Sequence, residues 1–238
     1  MRIVALDTTT RAGSVALLDD DRVVEERPGN AGRTHAERLP GELLDLLSAY
    51  GLTPRDVDLY AVAAGPGSFT GLRIGIATMQ GLAFTTARPV IAVSTLDALG
   101  QLAAHGLPEG ARVGAWVDAN RGEVFSALYR VAQVPRSGLV ALVARGEPAV
   151  ADPVSTLGAW TAELAGVACV MGDGAARYAE VLAQMAPSLQ VRGSEPLAGM
   201  LGRIARARWA GGERGEAADV RPLYVRRPDA EIERERRR

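Results

Sequence analysis

The chain has 238 residues, 47% of them apolar, enough to bury the core of one large domain or two ordinary ones, which excludes a disordered or fibrous protein. A formal net charge of −1 excludes a global attraction to nucleic acid or to an anionic membrane, so any such contact has to be local. All 27 basic residues are arginines, which excludes a Walker-type phosphate lysine, a Schiff-base lysine and a lysine general base.

Residues 2–6 read as a buried strand, and Asp7 ends its apolar run, residues 3–6, before a leader-like stretch can form. No apolar stretch approaches the length of a membrane span, so the expected compartment is the cytoplasm and no membrane contact is expected. Residues 14–18 and 22–26 read as two further strands joined at Asp19, Asp20 and Asp21, an antiparallel meander. After a loop with Gly29, Asn30 and Gly32 comes a helix carrying Leu39, Leu43, Leu46 and Leu47, and Thr34 with Glu37 has capping-box spacing. Pro40 allows two starts: a helix begun at Thr34 and kinked at Pro40, or one begun near Leu39 with Pro40 in its first turn.

Next come a strand over 59–64, the run Gly65-Pro66-Gly67-Ser68-Phe69-Thr70-Gly71-Leu72-Arg73-Ile74-Gly75, and a helix to about residue 85. Glycine at this density has three physical uses: a turn with positive φ, a bare backbone for a phosphate to approach, or a helix face cleared for another helix. A strand over 90–93 and a helix over 95–104 follow, ending at Gly106-Leu107-Pro108.

The pattern then begins again. A strand over 113–117 ends in Asp118, the turn Ala119-Asn120-Arg121-Gly122 follows, and a strand over 124–131 returns, in parallel with Asp7, Thr8, Thr9 and Thr10 and the strand at 14–18. The apolar run 167–171, which holds the single cysteine, Cys169, leads into Gly172-Asp173-Gly174 and a helix near Ala175, as 59–64 leads into the glycine run. One cysteine permits no internal disulfide and no cysteine-rich metal site. Fifty-eight residues separate Asp7 from Gly65 and fifty-four separate Asp118 from Gly172, the spacing of a duplication, with a chance recurrence of the common strand, Gly-x-Gly and helix unit as the alternative. Residues 138–153 show little periodicity, and a last helix over 197–209 is expected to return to the first half.

This layout resembles the actin-like, Hsp70-like and sugar-kinase superfamily. The expected fold is α/β, two-domain and actin-like (ASKHA, ribonuclease H-like), with a duplicated half and a reduced second domain. Its expected segments are 1–104, 105–196, a C-terminal helix and extension over 197–228, and a charged tail over 229–238. The tail reads as solvated, with a weak tRNA contact through Arg234, Arg236, Arg237 and Arg238 as the alternative.

The eleven-residue glycine run, with Ile3-Val4-Ala5-Leu6-Asp7-Thr8-Thr9, Val117-Asp118-Ala119-Asn120, Gly172-Asp173-Gly174-Ala175 and Pro222-Leu223-Tyr224-Val225-Arg226, is similar to the bacterial TsaB (YeaZ) family over nearly the whole chain. The resemblance implies a non-catalytic subunit of the machinery that makes threonylcarbamoyladenosine beside the anticodon of tRNAs reading codons that begin with A. It implies pairing with a TsaD-like catalytic paralogue, an associated TsaE-like ATPase, and contact with tRNA through the complex. ATP and Mg²⁺ would be used by the complex, with no cofactor of this chain's own. It also implies a four-helix bundle between the leucine and glycine helices and the same pair of another subunit, with a homodimer competing for the same patch. His35, Leu39, Leu43, Leu46, Leu47, Gly67, Phe69, Gly71, Leu72, Gly75, Thr78 and Met79 are thereby assigned to a partner interface. Bulky residues at Gly71 or Gly75 are then expected to weaken pairing and leave the monomer folded.

The residues themselves offer little catalysis. The resembled paralogue carries two metal-binding histidines one helical turn apart; here His35 meets Leu39 at that spacing, and His105 lies elsewhere. No metal site and no catalytic residue are expected, and Ser68 lacks the frame of a nucleophile turn. Asp7, Thr8 and Thr9, with Asp118 opposite, form a vestigial nucleotide site in one reading and strand-end turns in the other. Two classes therefore compete: a binding scaffold, and an independent ATP-dependent phosphotransferase carried by Asp7, Asp118 and the duplication.

Overall fold

The computed structural model of the chain describes residues 1–135, 138–164 and 166–225, so the expected tail over 229–238 lies outside the described residues. The first half runs β1 (Arg2–Asp7), β2 (Ser14–Asp19), β3 (Arg22–Pro28), α1 (His35–Ser48), β4 (Leu59–Gly65), α2 (Phe69–Thr86), β5 (Val90–Ser94) and α3 (Thr95–Ala104). The second runs β6 (Arg112–Asp118), β7 (Val124–Gln133), β8 (Ala141–Ala144), β9 (Ala149–Ala151), α4 (Pro153–Ala159), α5 (Thr161–Leu164), β10 (Val167–Met171), α6 (Asp173–Arg177), α7 (Ala179–Met185) and β11 (Gln190–Arg192). The last helix is α8 (Ala198–Ala210). Among the described residues no helix is long and apolar enough to cross a membrane.

The duplication is visible in the strand orders. The first sheet is ordered β3-β2-β1-β4-β5 and the second β11-β10-β6-β7-β8, with β9 also on β7. β1 lies antiparallel to β2 and parallel to β4, and β6 lies antiparallel to β7 and parallel to β10. Asp7 and Asp118 therefore end equivalent strands, and Gly65 and Gly172 open equivalent turns.

Alternation along the strands sorts side chains between layers, because successive residues point to opposite sheet faces. Val4, Leu6, Val15, Leu17, Tyr60 and Val62 pack under α1 and α2. Ile3, Ala5, Ala16, Leu18, Ala61 and Ala63 face the other way, into a core shared with α3, α8 and the second sheet's Val113, Ala115, Ala127 and Cys169. Beyond the second sheet, Trp116, Val124, Leu128 and Val170 close on Leu157 and Leu182 of α4 and α7. Helix α8 does return to the first sheet, where Gly202 lets it settle on the Leu18 side chain.

Helix α1 starts at the earlier of the two sites. Thr34 and Glu37 form the capping box, and Pro40 sits inside the helix on its exposed side, where the carbonyl left without an amide partner reaches water. Strands β8, β9 and β11 have three or four residues each with mostly exposed or half-buried side chains, so they carry no alternation to read.

Candidate functional site

The site lies where β1 and β4 of one half face β6 and β10 of the other. Asp7, at the end of β1, is buried, and its Oδ1 accepts the Thr9 N–H at 2.9 Å and the Thr9 hydroxyl at 2.6 Å. Burial pushes its carboxyl up, against these hydrogen bonds, and the negative Asp173 adds to the rise. The glycine run clamps this turn from above. Ser68 caps α2, accepting from the Gly71 N–H at 3.2 Å, and its own N–H donates to the Thr9 carbonyl at 2.8 Å.

The glycines serve that clamp. A Cβ on Gly71 would run into the Thr8 carbonyl oxygen, one on Gly75 into the Thr8 hydroxyl, and one on Gly67 would stand 2.9 Å from Thr9 Cα. Clearance for a partner helix at Gly71 and Gly75 is thus corrected: the backbone that comes close is this chain's own first turn. The Thr8 hydroxyl, pressed against α2, is buried without a hydrogen-bond partner.

The equivalent turn of the second half is closed by its own side chains. Asp173 Oδ1 accepts the amides of Asp118 and Gly174 at 3.0 and 2.8 Å, and Arg177 pairs with Asp118 at 3.1 Å. Asp118 also accepts the Asn120 N–H at 3.1 Å, with Asn120 and Arg121 both in left-handed conformation. Asp173 is itself pushed up by burial. Asp173 stands between two glycines where the first half has Pro66, and the duplicated Gly-x-Gly is its one signal in the sequence. The donor set does not suit Mg²⁺ with a triphosphate: the Thr9, Asp118, Asn120 and Gly174 amides are held by carboxylates, Asp7 is buried, and the half-buried Asp118 is paired with Arg177. Among the described residues no three His, Cys, Asp or Glu side chains converge as metal ligands.

Because the folded pKa of Asp7 lies above the ordinary 3.8, the folded state holds that proton more tightly, and stability falls as pH rises through this range. Asp7→Asn, which keeps an oxygen for Thr9, should raise the melting temperature at pH 7. The advantage should vanish below pH 3.8 in thermal unfolding followed by circular dichroism.

The other predicted residues separate into two groups. Leu39, Leu43, Leu46, Leu47, Leu72 and Met79 are buried against this chain's own first sheet, a correction to their assignment as contact surface: the apolar stripe is consumed internally. His35 is also buried, with Nε2 at 3.0 Å from the Thr10 carbonyl and Nδ1 at 2.8 Å from Arg38, so the ring donates from Nε2. Burial and the Arg38 charge lower its pKa. Gly67 and Thr78 are half-buried and Phe69 is exposed. The free faces of α1 and α2 carry other residues: Gly41 and Leu44 on α1, and Ala77, Gly81 and Phe84 on α2, with Phe84 84% exposed. A Cβ at Gly41 or Gly81 meets nothing within 4 Å.

A family model described as "TsaD: tRNA N6-adenosine threonylcarbamoyltransferase" matches residues 24–140. The chain is 44% identical over 131 residues to the "tRNA threonylcarbamoyladenosine biosynthesis protein TsaB" of Escherichia coli strain K12, covering 55% of each. It spans about half the length of the curated relatives it matches in this way. Two solved structures from Pseudomonas aeruginosa align along nearly all of it. One, an uncharacterized protein with similarity to peptidase YEAZ, is 36% identical with a TM-score of 0.76, over 94% of this chain and 99% of that one. The other, YeaZ, is 33% identical with a TM-score of 0.71 over the same shares.

Proposed function

The chain belongs to the TsaB (YeaZ) family, and from that premise we propose that it is a non-catalytic subunit of tRNA threonylcarbamoyladenosine biosynthesis in the cytoplasm. In this reading it pairs with a TsaD-like catalytic paralogue, a TsaE-like ATPase joins them, and threonylcarbamoyl is transferred to the adenosine beside the anticodon of tRNAs reading codons that begin with A. ATP and Mg²⁺ serve the complex.

The observation that carries the non-catalytic reading is the closed second turn. An ATP-dependent phosphotransferase of this layout needs backbone amides facing the phosphates, and here Asp173 holds two of them while Arg177 covers Asp118. The discriminating experiment mixes the purified chain with ATP and Mg²⁺ alone, then with paralogue, ATPase, threonylcarbamoyl-adenylate and tRNA. Modification that requires every component supports the scaffold; ATP turnover by the chain alone at enzymatic rates would sink it.

The face for pairing is the outer side of α1 and α2, where exposed Leu44 and Phe84 flank small residues that let helices approach closely. Phe84→Asp should weaken binding to the paralogue by at least about tenfold, the scale of one buried aromatic anchor, with unchanged melting temperature. Unchanged affinity in calorimetric titration would remove this face from the reading. Self-association of the chain through the same face should fall in parallel.

A further inference from the structure

Over the N-terminal turn of α2 lies an open stack of side chains that neither turn of the cleft uses. The Arg73 guanidinium sits 4.0 Å from the centre of the Phe69 ring, and the Phe69 and Tyr224 rings lie 5.6 Å apart. The only hydrogen bond of Arg73 among the described residues runs from Nε to the Tyr224 hydroxyl, at 3.3 Å. The stack is exposed: Phe69 is 45% and Tyr224 42% accessible, with Leu223 beside them at 41%. The segment carrying Leu223 and Tyr224 is tied down by the Leu223 N–H, which donates to the Ala64 carbonyl at 2.7 Å.

Charge gives the patch a sign. Neither residues 65–79 nor residues 220–225 contain an aspartate or glutamate, while together they contain Arg73 and Arg221. In a chain of net charge −1 these two segments carry positive charge alone. Apolar protein partners are served by aliphatic and aromatic surface without such a bias. Rings layered with a guanidinium that no carboxylate among the described residues pairs suit the faces of unpaired bases and the phosphates between them.

We propose that Phe69, Arg73 and Tyr224 form a stacking platform for unpaired bases of RNA. The proposal rests on the reading that the chain works on tRNA, and it assigns this subunit a direct contact with exposed nucleotides of that substrate.

The test titrates the full chain against a fluorescently labelled twelve-nucleotide single-stranded RNA of mixed sequence and a blunt duplex of the same length, read by polarisation at two salt concentrations. Single-strand binding should exceed duplex binding. Phe69→Ala and Tyr224→Ala should each weaken it about tenfold, the measured scale of losing one stacked base, and Tyr224→Phe should keep it. Arg73→Gln should weaken it and make the salt dependence shallower by about one counterion. Met185→Ala, at an exposed position on α7, serves as the control variant, expected to leave RNA binding unchanged. Equal binding of duplex, or no effect of the ring substitutions, overturns the platform. So does loss of paralogue affinity in the Phe69 and Tyr224 variants with RNA binding intact, which would make the patch a protein contact. If the reconstituted complex modifies tRNA while these variants behave as wild type, the platform falls and the proposed function stands.

Discussion

Gly71→Leu and Gly75→Leu should each lower the stability of the isolated chain by about 3 kcal/mol, the upper end of the overpacking range, or a melting temperature fall of about 6–12 °C for a chain of this size. The upper end applies because the obstacles cannot step aside. The Cβ of residue 71 meets the Thr8 carbonyl oxygen, backbone held between β1 and the Thr9–Asp7 hydrogen bonds, and that of residue 75 meets a fully buried Thr8 side chain. Gly81→Leu is the internal control. It points to open space on the same helix and should leave stability unchanged or raise it by up to about 1 kcal/mol through helix propensity. Thermal unfolding of the three variants, followed by circular dichroism, decides the matter. A Gly71 or Gly75 variant that melts normally and fails only in partner binding would restore the partner-helix explanation.

Arg38→Met should destabilise the chain by about 3 kcal/mol, the low end of the cost of breaking a buried ionic cluster. The Arg38 side chain is buried, and its guanidinium joins Glu42, the Ala12 and Arg11 carbonyls and His35 Nδ1. Gly29 leaves room for that guanidinium to lie against its backbone. Methionine fills the volume and leaves these acceptors without a donor. Urea unfolding at pH 7 measures the loss, and a change under about 1 kcal/mol would mean that water replaces the cluster. The His35 ring gives a second readout. Its pKa is lowered first by burial and then by the Arg38 charge, so in the variant it should move part of the way back towards 6.5, visible in an NMR titration.

Both results bear on how the chain holds its first turn. Arg38 and His35 grip residues 10–12 from α1, while Gly67, Gly71 and Gly75 bring α2 down on Thr8 and Thr9. Asp7 is thereby buried in a preset arrangement that faces Asp173 across the cleft.

Much of this was legible in sequence where the signal is local. The strand-turn-strand of 1–18 and its echo at 112–131, the capping box at Thr34, and the glycine turn into α2 each depend on residues a few positions apart. Arg38 and Asp173 were not legible, because a buried arginine and a turn aspartate acquire their roles from carbonyls and amides 26 and 55 residues away.

The sequence by itself determined the duplicated α/β layout, since periodicity, glycine spacing and motif order are properties of the chain taken in line, and its quoted motifs carried the resemblance to the family. Only the tertiary structure decided whose backbone the glycines accommodate and whose core the leucines fill. An apolar or side-chain-free stripe states that something comes close, and its pattern is the same whether the neighbour is the chain's own turn and sheet or another subunit. The contacts of Thr8 with α2 and of Leu39, Leu43, Leu46 and Leu47 with the first sheet decide it, leaving Leu44 and Phe84 as the surface still free to meet a partner.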